Sequence, residues 1–293
     1  MSSDFIPFAL PSIGQEEIDD VTECLASGWL TSGPKMRHFV QEFAEAVDSR
    51  FALAVNSATA GLHLAMDCIG IQPGEKVLTT PYTFTATAEV IRYMGADPIF
   101  VDIDRDSFNI DPELIAKALD EDEPIKAIVP VHFAGQACKI NKIKELAESI
   151  EAHVVEDAAH SFPATHAGQK IGSVGDLTVF SFYATKTIAT GEGGMVTTDD
   201  EGFAERIRCM RLHGISRDVF DRYQSNMPSW YYEVVAPGYK YNMPDMAATI
   251  GIEQLKKAES FRQRREAIGR RYFDELGGLP VKLPRPVNPV SDT

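Results

Sequence analysis

The stretch from residue 153 to 199 constrains the fold most, because it places three short apolar runs between glycine-rich turns. The runs are HVVED, LTVFSFY and GMVTTD, each rich in β-branched or aromatic residues. Such runs, bounded by Gly or Asp, are typical of buried strands. Asp157 closes the first run, Ser181 and Tyr183 end the second, and Lys186 follows in a loop rich in Thr and Gly. The pattern predicts neighbouring strand ends that carry an acid, a hydroxyl and an amine.

These three groups together suit one small ligand, pyridoxal phosphate (PLP). That cofactor needs an acid for its pyridinium nitrogen, a hydroxyl for its phosphate and an amine for covalent attachment. Taken singly, a strand-end Asp more often caps a turn, and a loop Lys is usually solvated. An unpaired charge at the end of an apolar strand is costly, however, and the aromatic run should bring Lys186 to the same sheet edge as Asp157. The residues alone leave a PLP site and ordinary structural roles equally open.

Strands and helices alternate along the chain from Lys76 onward. KVLTT, ATAEVIRYM, DPIFVDI, a helix after Asp111 and KAIVPV follow one another. This alternation predicts βαβ units and a doubly wound, mostly parallel sheet of the α/β class. After residue 243 the sequence is typical of one broken helix or two successive helices, with small residues suited to close helix packing at Ala247, Ala248 and Gly251.

Two amphipathic helices are predicted in the N-terminal 50 residues. The expected buried faces are Ile18, Val21 and Leu25 in the first helix, and Phe39, Phe43 and Val47 in the second. A turn-rich loop carrying Trp29 and Thr31 lies between them. Trp29 could either hold the two helices together or face a ligand.

Composition excludes several classes of partner. The net charge of −15 argues against nucleic acid or an anionic membrane surface. No apolar run approaches the roughly 20 residues of a membrane span, and the N-terminus does not resemble a signal peptide. Cytoplasmic location is therefore expected. The four cysteines lack metal-ligand spacing and are predicted to be buried, reduced thiols, at Cys24, Cys68, Cys138 and Cys209.

Four further features can each be explained without a ligand on sequence alone. Ser57, Ala58 and Thr59 start a helix after a strand, which suits either an anion site or a simple capped helix. His132 could support a site or be a satisfied core histidine. Phe84 is most simply a core aromatic, and an Asx turn is one explanation of Asn242.

Several ordered blocks resemble one known family. EDAAHS followed by FSFYATKTIATGEGGM is similar to the aspartate and lysine blocks of the DegT/DnrJ/EryC1/StrS family of PLP-dependent nucleotide-sugar aminotransferases. SGWLTSGP at 27–34, AVNSATAGLHLA at 54–65, TPYTFTATA at 80–88 and GYKYNMPDMAATIGIEQL at 238–255 fall in the family's order. The resemblance covers nearly the whole chain. Within the family it points to sugar 4-aminotransferases such as those that form UDP-4-amino-4-deoxy-L-arabinose.

The resemblance implies a fold and a domain division. The expected fold is the large domain of fold-type-I PLP aminotransferases, over residues 1–250 and including the N-terminal arm. Residues 251–293 would form a connecting helix and the start of a small C-terminal domain. The sequence stops at LPRPVNPVSDT, where family members continue, so this domain is expected to be truncated.

The resemblance also assigns roles to individual residues. Lys186, Asp157 and His160 are expected to be catalytic and to contact the cofactor. The other expected cofactor contacts are Ser57, Ala58, Thr59, Phe84, Ser181 and, from the partner subunit of a homodimer, Asn242. The expected substrate contacts are Trp29, Thr31, Tyr183, Glu192 and Tyr239. No metal is expected.

The implied reaction moves an amino group from L-glutamate, which becomes 2-oxoglutarate, to a nucleotide-linked keto sugar for cell-surface polysaccharide or lipopolysaccharide. KTIATGEGG, with Glu192, favours amination at C4 over C3. The alternatives are a sugar 3-aminotransferase, a related dehydratase with His in place of the lysine, and another PLP class such as a cysteine desulfurase. A truncated regulatory or interaction protein without activity is the alternative outside enzymes.

Overall fold

A seven-stranded sheet forms the centre of the molecule. The computed structural model describes residue 5 and residues 7–119, 124–216 and 232–285. The strands of the sheet are β1 (Phe51–Val55), β2 (Lys76–Thr79), β3 (Asp97–Phe100), β4 (Ile125–Ile128), β5 (His153–Asp157), β8 (Leu177–Ser181) and β9 (Gly194–Thr198). Their order is β1-β9-β8-β5-β4-β2-β3. A separate two-stranded hairpin joins β6 (Thr165–His166) to β7 (Gln169–Lys170).

Only β9 runs against the direction of the other strands of this sheet. It pairs antiparallel with both β1 and β8, whereas β8, β5, β4, β2 and β3 pair in parallel. Parallel strands need crossover connections, and helices supply them here. The predicted mostly parallel α/β fold is confirmed.

Helices cover both faces of the sheet. They are α1 (Gln15–Ser27), α2 (Pro34–Ala46), α3 (Ala58–Cys68), α4 (Ala86–Tyr93), α5 (Pro112–Leu119), α6 (Ile140–Glu148), α7 (Glu201–Met210) and α8 (Asp245–Leu276). Alternate strand residues enter opposite cores, as a pleated strand requires. In β8, Val179 packs into the core that includes residues of α3 and α7, and Phe180 into the core that includes residues of α2 and α8.

The contact between α2 and α8 confirms the predicted face of α2. Phe39 and Phe43 are fully buried, and the Phe39 ring centroid lies 5.3 Å from that of Phe182. A Cβ on Gly251 of α8 would lie 2.7 Å from the Phe39 ring. The absence of a side chain at Gly251 therefore lets the two helices approach closely.

Two element predictions are wrong. The expected broken or double helix after residue 243 is one continuous helix, α8, because its sequence contains no proline to interrupt it. The division at residue 250 falls inside α8 and stays a prediction. In α1, Ile18 and Leu25 are about half exposed, whereas Glu17 and Cys24 are buried. A charged residue can replace the apolar face here because Glu17 is hydrogen-bonded to α8.

The cysteines agree with the sequence interpretation in their chemistry and only partly in their burial. All four are free thiols; Cys24 and Cys138 are buried, and Cys68 and Cys209 are half-buried. Burial raises the pKa of the Cys68 thiol to about 12, so it is protonated at neutral pH. In the part of the chain that the structure describes, no helix is long and apolar enough to cross a membrane.

Candidate active site

The candidate site lies at the carboxyl edge of the parallel strands. Asp157 of β5 is in register with Val179 of β8, so both strands end at the same edge. β9 starts there, with Gly194 opposite Ser181. Ligands of open α/β sheets bind at this edge, because the loops after neighbouring strands converge there.

Asp157 is a buried carboxylate held by two donors. Its side chain accepts a hydrogen bond from the Thr87 hydroxyl at 2.7 Å and from the Ala159 N–H at 3.1 Å. Only 5% of the residue is exposed. These two hydrogen bonds fix the orientation of the carboxylate.

Lys186 follows β8 in a tight loop. Its backbone N–H donates a hydrogen bond to the backbone carbonyl of Tyr183 at 2.9 Å. The side chain is half-buried. Burial lowers the pKa of the amine, and the negative charge of Asp157 opposes that shift only in part. A lysine of lowered pKa provides neutral amine, the form that acts as a nucleophile or base.

His160 lies close to both of these groups. Surrounding protein lowers the pKa of its imidazole, and the positive charge of Lys186 lowers it further, against the opposing effect of Asp157. His160 is exposed, and its ring meets the Phe133 ring edge-on at 6.4 Å between centroids. The lowered pKa keeps the imidazole neutral at pH values where an ordinary histidine is partly protonated.

The start of α3 lies on the other side of the Ser181 strand end. Ser57 caps the helix by accepting a hydrogen bond from the Ala60 N–H at 3.1 Å. A Cβ on Gly194 would lie 2.8 Å from the backbone nitrogen of Ala58, so only glycine permits this approach. Because Gly194 is paired with Ser181, the serine hydroxyl and the first N–H groups of α3 share one edge. Such a helix start favours anions.

Phe84 is 75% exposed, which excludes the core-aromatic interpretation. Its carbonyl accepts a hydrogen bond from the Thr87 N–H at 3.2 Å. Phe84 therefore lies in the same turn as Thr87, whose hydroxyl donates to Asp157.

The loop with Trp29 is fastened to the segment before α8. The Trp29 indole N–H donates to the carbonyl of Ser32 at 3.3 Å, and the Ser32 hydroxyl donates to the carbonyl of Met243 at 2.6 Å. The Asn242 amide donates to the Ser32 hydroxyl at 2.7 Å. Asn242 also forms an antiparallel bridge with Val55, at the end of the strand that precedes the α3 start. The exposed Thr31 is held by a bond from the N–H of Asp245 to its carbonyl, at 3.2 Å.

The remaining expected substrate residues divide into two groups. Tyr183 and Glu192 are exposed in the loop that carries Lys186. Tyr239 instead stacks on Tyr241 at 5.0 Å and lies 4.6 Å from the His63 ring on α3. Tyr183 and Glu192 therefore share a loop with Lys186, whereas Tyr239 packs against α3. Residues 217–231, which precede Tyr239 in the chain, lie outside the described residues.

His132 proves to be a satisfied core histidine. Its Nδ1 accepts from the Cys138 N–H at 2.9 Å, so its Nε2 carries the proton and donates to Glu156 at 2.7 Å. Glu156 also accepts from the N–H of Gly175 and from the hydroxyl of Thr178. This buried network holds the strand whose next residue is Asp157.

The residues at this edge fit PLP. A buried carboxylate, an amine of lowered pKa, and a helix start beside a serine hydroxyl are the donor set that the cofactor requires. The fold and the site together define the class as a PLP-dependent enzyme. A family model then assigns the chain: residues 11–293 match, and the chain belongs to the DegT/DnrJ/EryC1/StrS aminotransferase family.

Relatives and solved structures agree with that assignment. The chain is 51% identical to the spore coat polysaccharide biosynthesis protein SpsC of Bacillus subtilis (strain 168), over 94% of this chain and 71% of that protein. It is 34% identical to Spr1654 from Streptococcus pneumoniae in its PMP form, with a TM-score of 0.86, over 94% of this chain and 73% of that one. The PLP form of Spr1654 matches as well.

A third match is PseC from Helicobacter pylori, an aminotransferase involved in the biosynthesis of pseudoaminic acid. It is 29% identical, with a TM-score of 0.86, over 94% of this chain and 71% of that one. The chain therefore belongs to a family of PLP-dependent transaminases, and Spr1654, one of its similar structures, is described as a putative sugar aminotransferase. The roles of the individual site residues stay predictions.

Proposed function

We propose that this chain transfers an amino group from L-glutamate to the keto carbon, at C4, of a nucleotide-linked keto sugar. One observation carries the proposal: Asp157 and Lys186 follow adjacent strands at one sheet edge, beside the start of α3. The aminotransferase family supports the reaction class. A dehydratase with His in place of the lysine is disfavoured by Lys186 itself.

The cofactor would be held from three directions. Asp157 would keep a proton on the pyridine nitrogen, because a carboxylate favours the cationic ring. Ser181 and the N–H groups of Ala58 and Thr59 would bind the phosphate at the helix start. The exposed Phe84 ring would cover one face of the pyridine, and His160 would contact its oxygen substituent. Bound PLP supplies an electron sink that stabilises negative charge on the substrate carbon.

Lys186 would move the proton. Its amine would take a proton from the α-carbon of glutamate in the first half-reaction and deliver one to the sugar carbon in the second. The lowered pKa suits this role, since general bases work best when they are neutral near the operating pH. Burial of Asp157 and its bond from Thr87 keep the acid in one position throughout.

The proposal also covers the sugar substrate and the polymer that receives the amino sugar. Trp29, Thr31, Tyr183, Glu192 and Tyr239 are the proposed contacts of the sugar nucleotide. The C4 position is supported by the KTIATGEGG loop. A cell-surface polysaccharide is supported by the name of the Bacillus relative. Lipopolysaccharide and a cytoplasmic location stay predictions.

The test follows the visible absorbance of the protein with PLP before and after L-glutamate is added. A band of lysine-bound cofactor that glutamate converts to the pyridoxamine form is expected. Borohydride reduction followed by peptide mass spectrometry should place the cofactor on Lys186. Lys186→Ala should abolish both signals, whereas Lys170→Ala, an exposed surface lysine, should leave them unchanged. A label on another lysine would contradict the assignment.

A further inference from the structure

A small cleft opens beside Lys186, between the N-terminal arm and α8. Its volume is about 140 Å³, and its lining includes Ser12, Lys186 and Gln254 together with Arg264 and Arg265 of α8. The two arginines are the cationic side chains that face Lys186 across this space. None of the roles assigned above uses them.

The wall of the cleft is held by buried hydrogen bonds. Gln254, only 1% exposed, donates to the carbonyl of Ser12 at 2.8 Å and to Glu17 at 2.7 Å. Its side-chain oxygen accepts from the N–H of Ala189 at 3.3 Å. One buried amide therefore fixes the arm, α8 and the loop that carries Lys186 relative to one another.

Arg264 and Arg265 differ from the other basic residues of α8. The remaining five all have carboxylate partners: Lys256 with Glu253, Lys257 with Glu17, Arg262 with Glu259, Arg270 with Glu266 and Arg271 with Glu275. Among the described residues, no carboxylate pairs with Arg264 or Arg265. Two consecutive arginines without acidic partners are unusual in a chain of net charge −15.

We propose that Arg264 and Arg265 bind the carboxylates of the amino donor, a dicarboxylic amino acid or its oxo acid. The inference rests on the proposed function and adds to it the residues that select the donor. Guanidinium groups bind carboxylates through paired N–H donors, and each guanidinium can serve one of the two carboxylates. A protein of such negative charge needs local cations to hold an anionic substrate.

The position of the cleft favours the donor over the sugar nucleotide. The α-carboxylate of an amino acid is bonded directly to the carbon that reacts, so it must lie close to the Lys186 amine. The diphosphate of a nucleotide sugar is separated from C4 by the sugar ring. The cleft is small, about 140 Å³, which suits an amino acid.

The experiment measures ligand binding by titration calorimetry, using 2-oxoglutarate and UDP as separate probes on the full chain. The variants are Arg264→Gln and Arg265→Gln. Arg271→Gln is the matched control, because Arg271 is an exposed arginine of the same helix with a partner of its own. Each cleft variant should raise the Kd of 2-oxoglutarate about tenfold or more, as expected for loss of a charge-assisted bond. The control variant, the affinity for UDP and the absorbance of bound PLP should not change.

Other results would overturn the inference in recognisable ways. A weaker affinity for UDP with unchanged 2-oxoglutarate binding would assign the arginines to the diphosphate. Weaker PLP binding would assign them to the cofactor phosphate, and no change in any affinity would show two solvated side chains. The proposed function is tested separately. If wild-type protein binds 2-oxoglutarate through these arginines but glutamate does not alter its absorbance, the subsite stands and the aminotransferase proposal fails.

Discussion

The Thr87 hydroxyl connects the aromatic turn after β2 to the acid at the end of β5. It donates to Asp157 at 2.7 Å and lies 2.7 Å from the hydroxyl of Thr83. Both Thr87 and Asp157 are buried, so water does not replace this donor if it is lost. The charge that would face the pyridine nitrogen is therefore oriented by a residue outside the expected catalytic set.

Replacing Thr87 with Val removes the hydroxyl and nearly keeps the shape. A hydrogen bond to a charged group contributes about 1.5–3 kcal/mol, so the Kd of PLP should rise roughly tenfold or more. Fluorescence titration with PLP measures this. Thr85→Val is the control, since Thr85 is exposed and its side chain makes no capping bond. Equal affinities for the two variants would show that Thr87 does not position the acid.

The sequence predicts Asp157 and Lys186 because strand ends can be recognised from local pattern. Thr87 has no such signal: it lies in a run of Thr and Ala, and its role depends on where α4 begins relative to β5. Glu156 shows the same limit, because its partners His132 and Thr178 lie on the two neighbouring strands or their loops. Neighbourhood in the sheet does not follow chain order, and single-sequence patterns do not reveal it.

At the scale of elements, Gly251 sets the distance between α2 and α8. Gly251→Ala would place a methyl group 2.7 Å from the Phe39 ring, which is fully buried. Overpacking of this kind costs about 1–3 kcal/mol, more than the gain of about 1 kcal/mol in helix propensity. Chemical denaturation should therefore show a lower free energy of unfolding.

Gly269 provides the opposite case on the same helix. A Cβ there meets no atom within 4 Å, so Gly269→Ala should raise the free energy of unfolding by up to about 1 kcal/mol. If both alanine variants stabilise the protein equally, the close contact of Gly251 with Phe39 has no energetic role.

The buried carboxylate of Glu17 links α1 to α8. Burial opposes ionisation of Glu17, but hydrogen bonds from Lys257, Gln254 and the Gly14 N–H outweigh it and lower its pKa from 4.5 to about 2. Since the folded pKa is below the unfolded one, ionised Glu17 stabilises the fold. That contribution is complete above about pH 4.5 and is lost as the pH falls towards 2.

Glu17→Gln should therefore change how stability depends on pH. The variant should lose about 1–3 kcal/mol at neutral pH and show a smaller decline between pH 5 and 2 than the wild type. The lost decline should be at most about 3 kcal/mol. Denaturation at a series of pH values measures it. Glu16→Gln should change the slope less than Glu17→Gln does, because the Glu16 side chain is 63% exposed and solvent weakens its interaction with Lys257. Parallel curves for wild type and Glu17→Gln would contradict the argument.

Local hydrophobic pattern explains why the face of α1 was predicted wrongly and that of α2 correctly. Ile18, Val21 and Leu25 recur at helical spacing and would ordinarily be buried. The helix instead turns Glu17 inward, because Lys257 and Gln254 of α8 satisfy its charge. That partner is about 240 residues away in sequence, so no local pattern could indicate it.

At the scale of the whole molecule, the site is assembled from distant parts of the chain. Asn242 lies beside the end of β1 and is bonded to Ser32 of the loop before α2. We propose that it reaches the cofactor phosphate of a partner subunit in a homodimer. The proposal predicts that each site needs residues from two chains, and the two contributions can be separated genetically.

Mixing two defective variants tests the shared site. Lys186→Ala lacks the amine, and Asn242→Ala should bind PLP too weakly to be loaded at limiting cofactor. After unfolding and refolding together in equal amounts, half of the dimers are mixed, and each mixed dimer has one site with both residues intact. About a quarter of the wild-type activity should return, since a two-fold dimer places the same surface on both subunits. If Asn242 acts within its own chain, every site stays defective and no activity returns, whereas Lys186→Ala mixed with wild type gives half in either case.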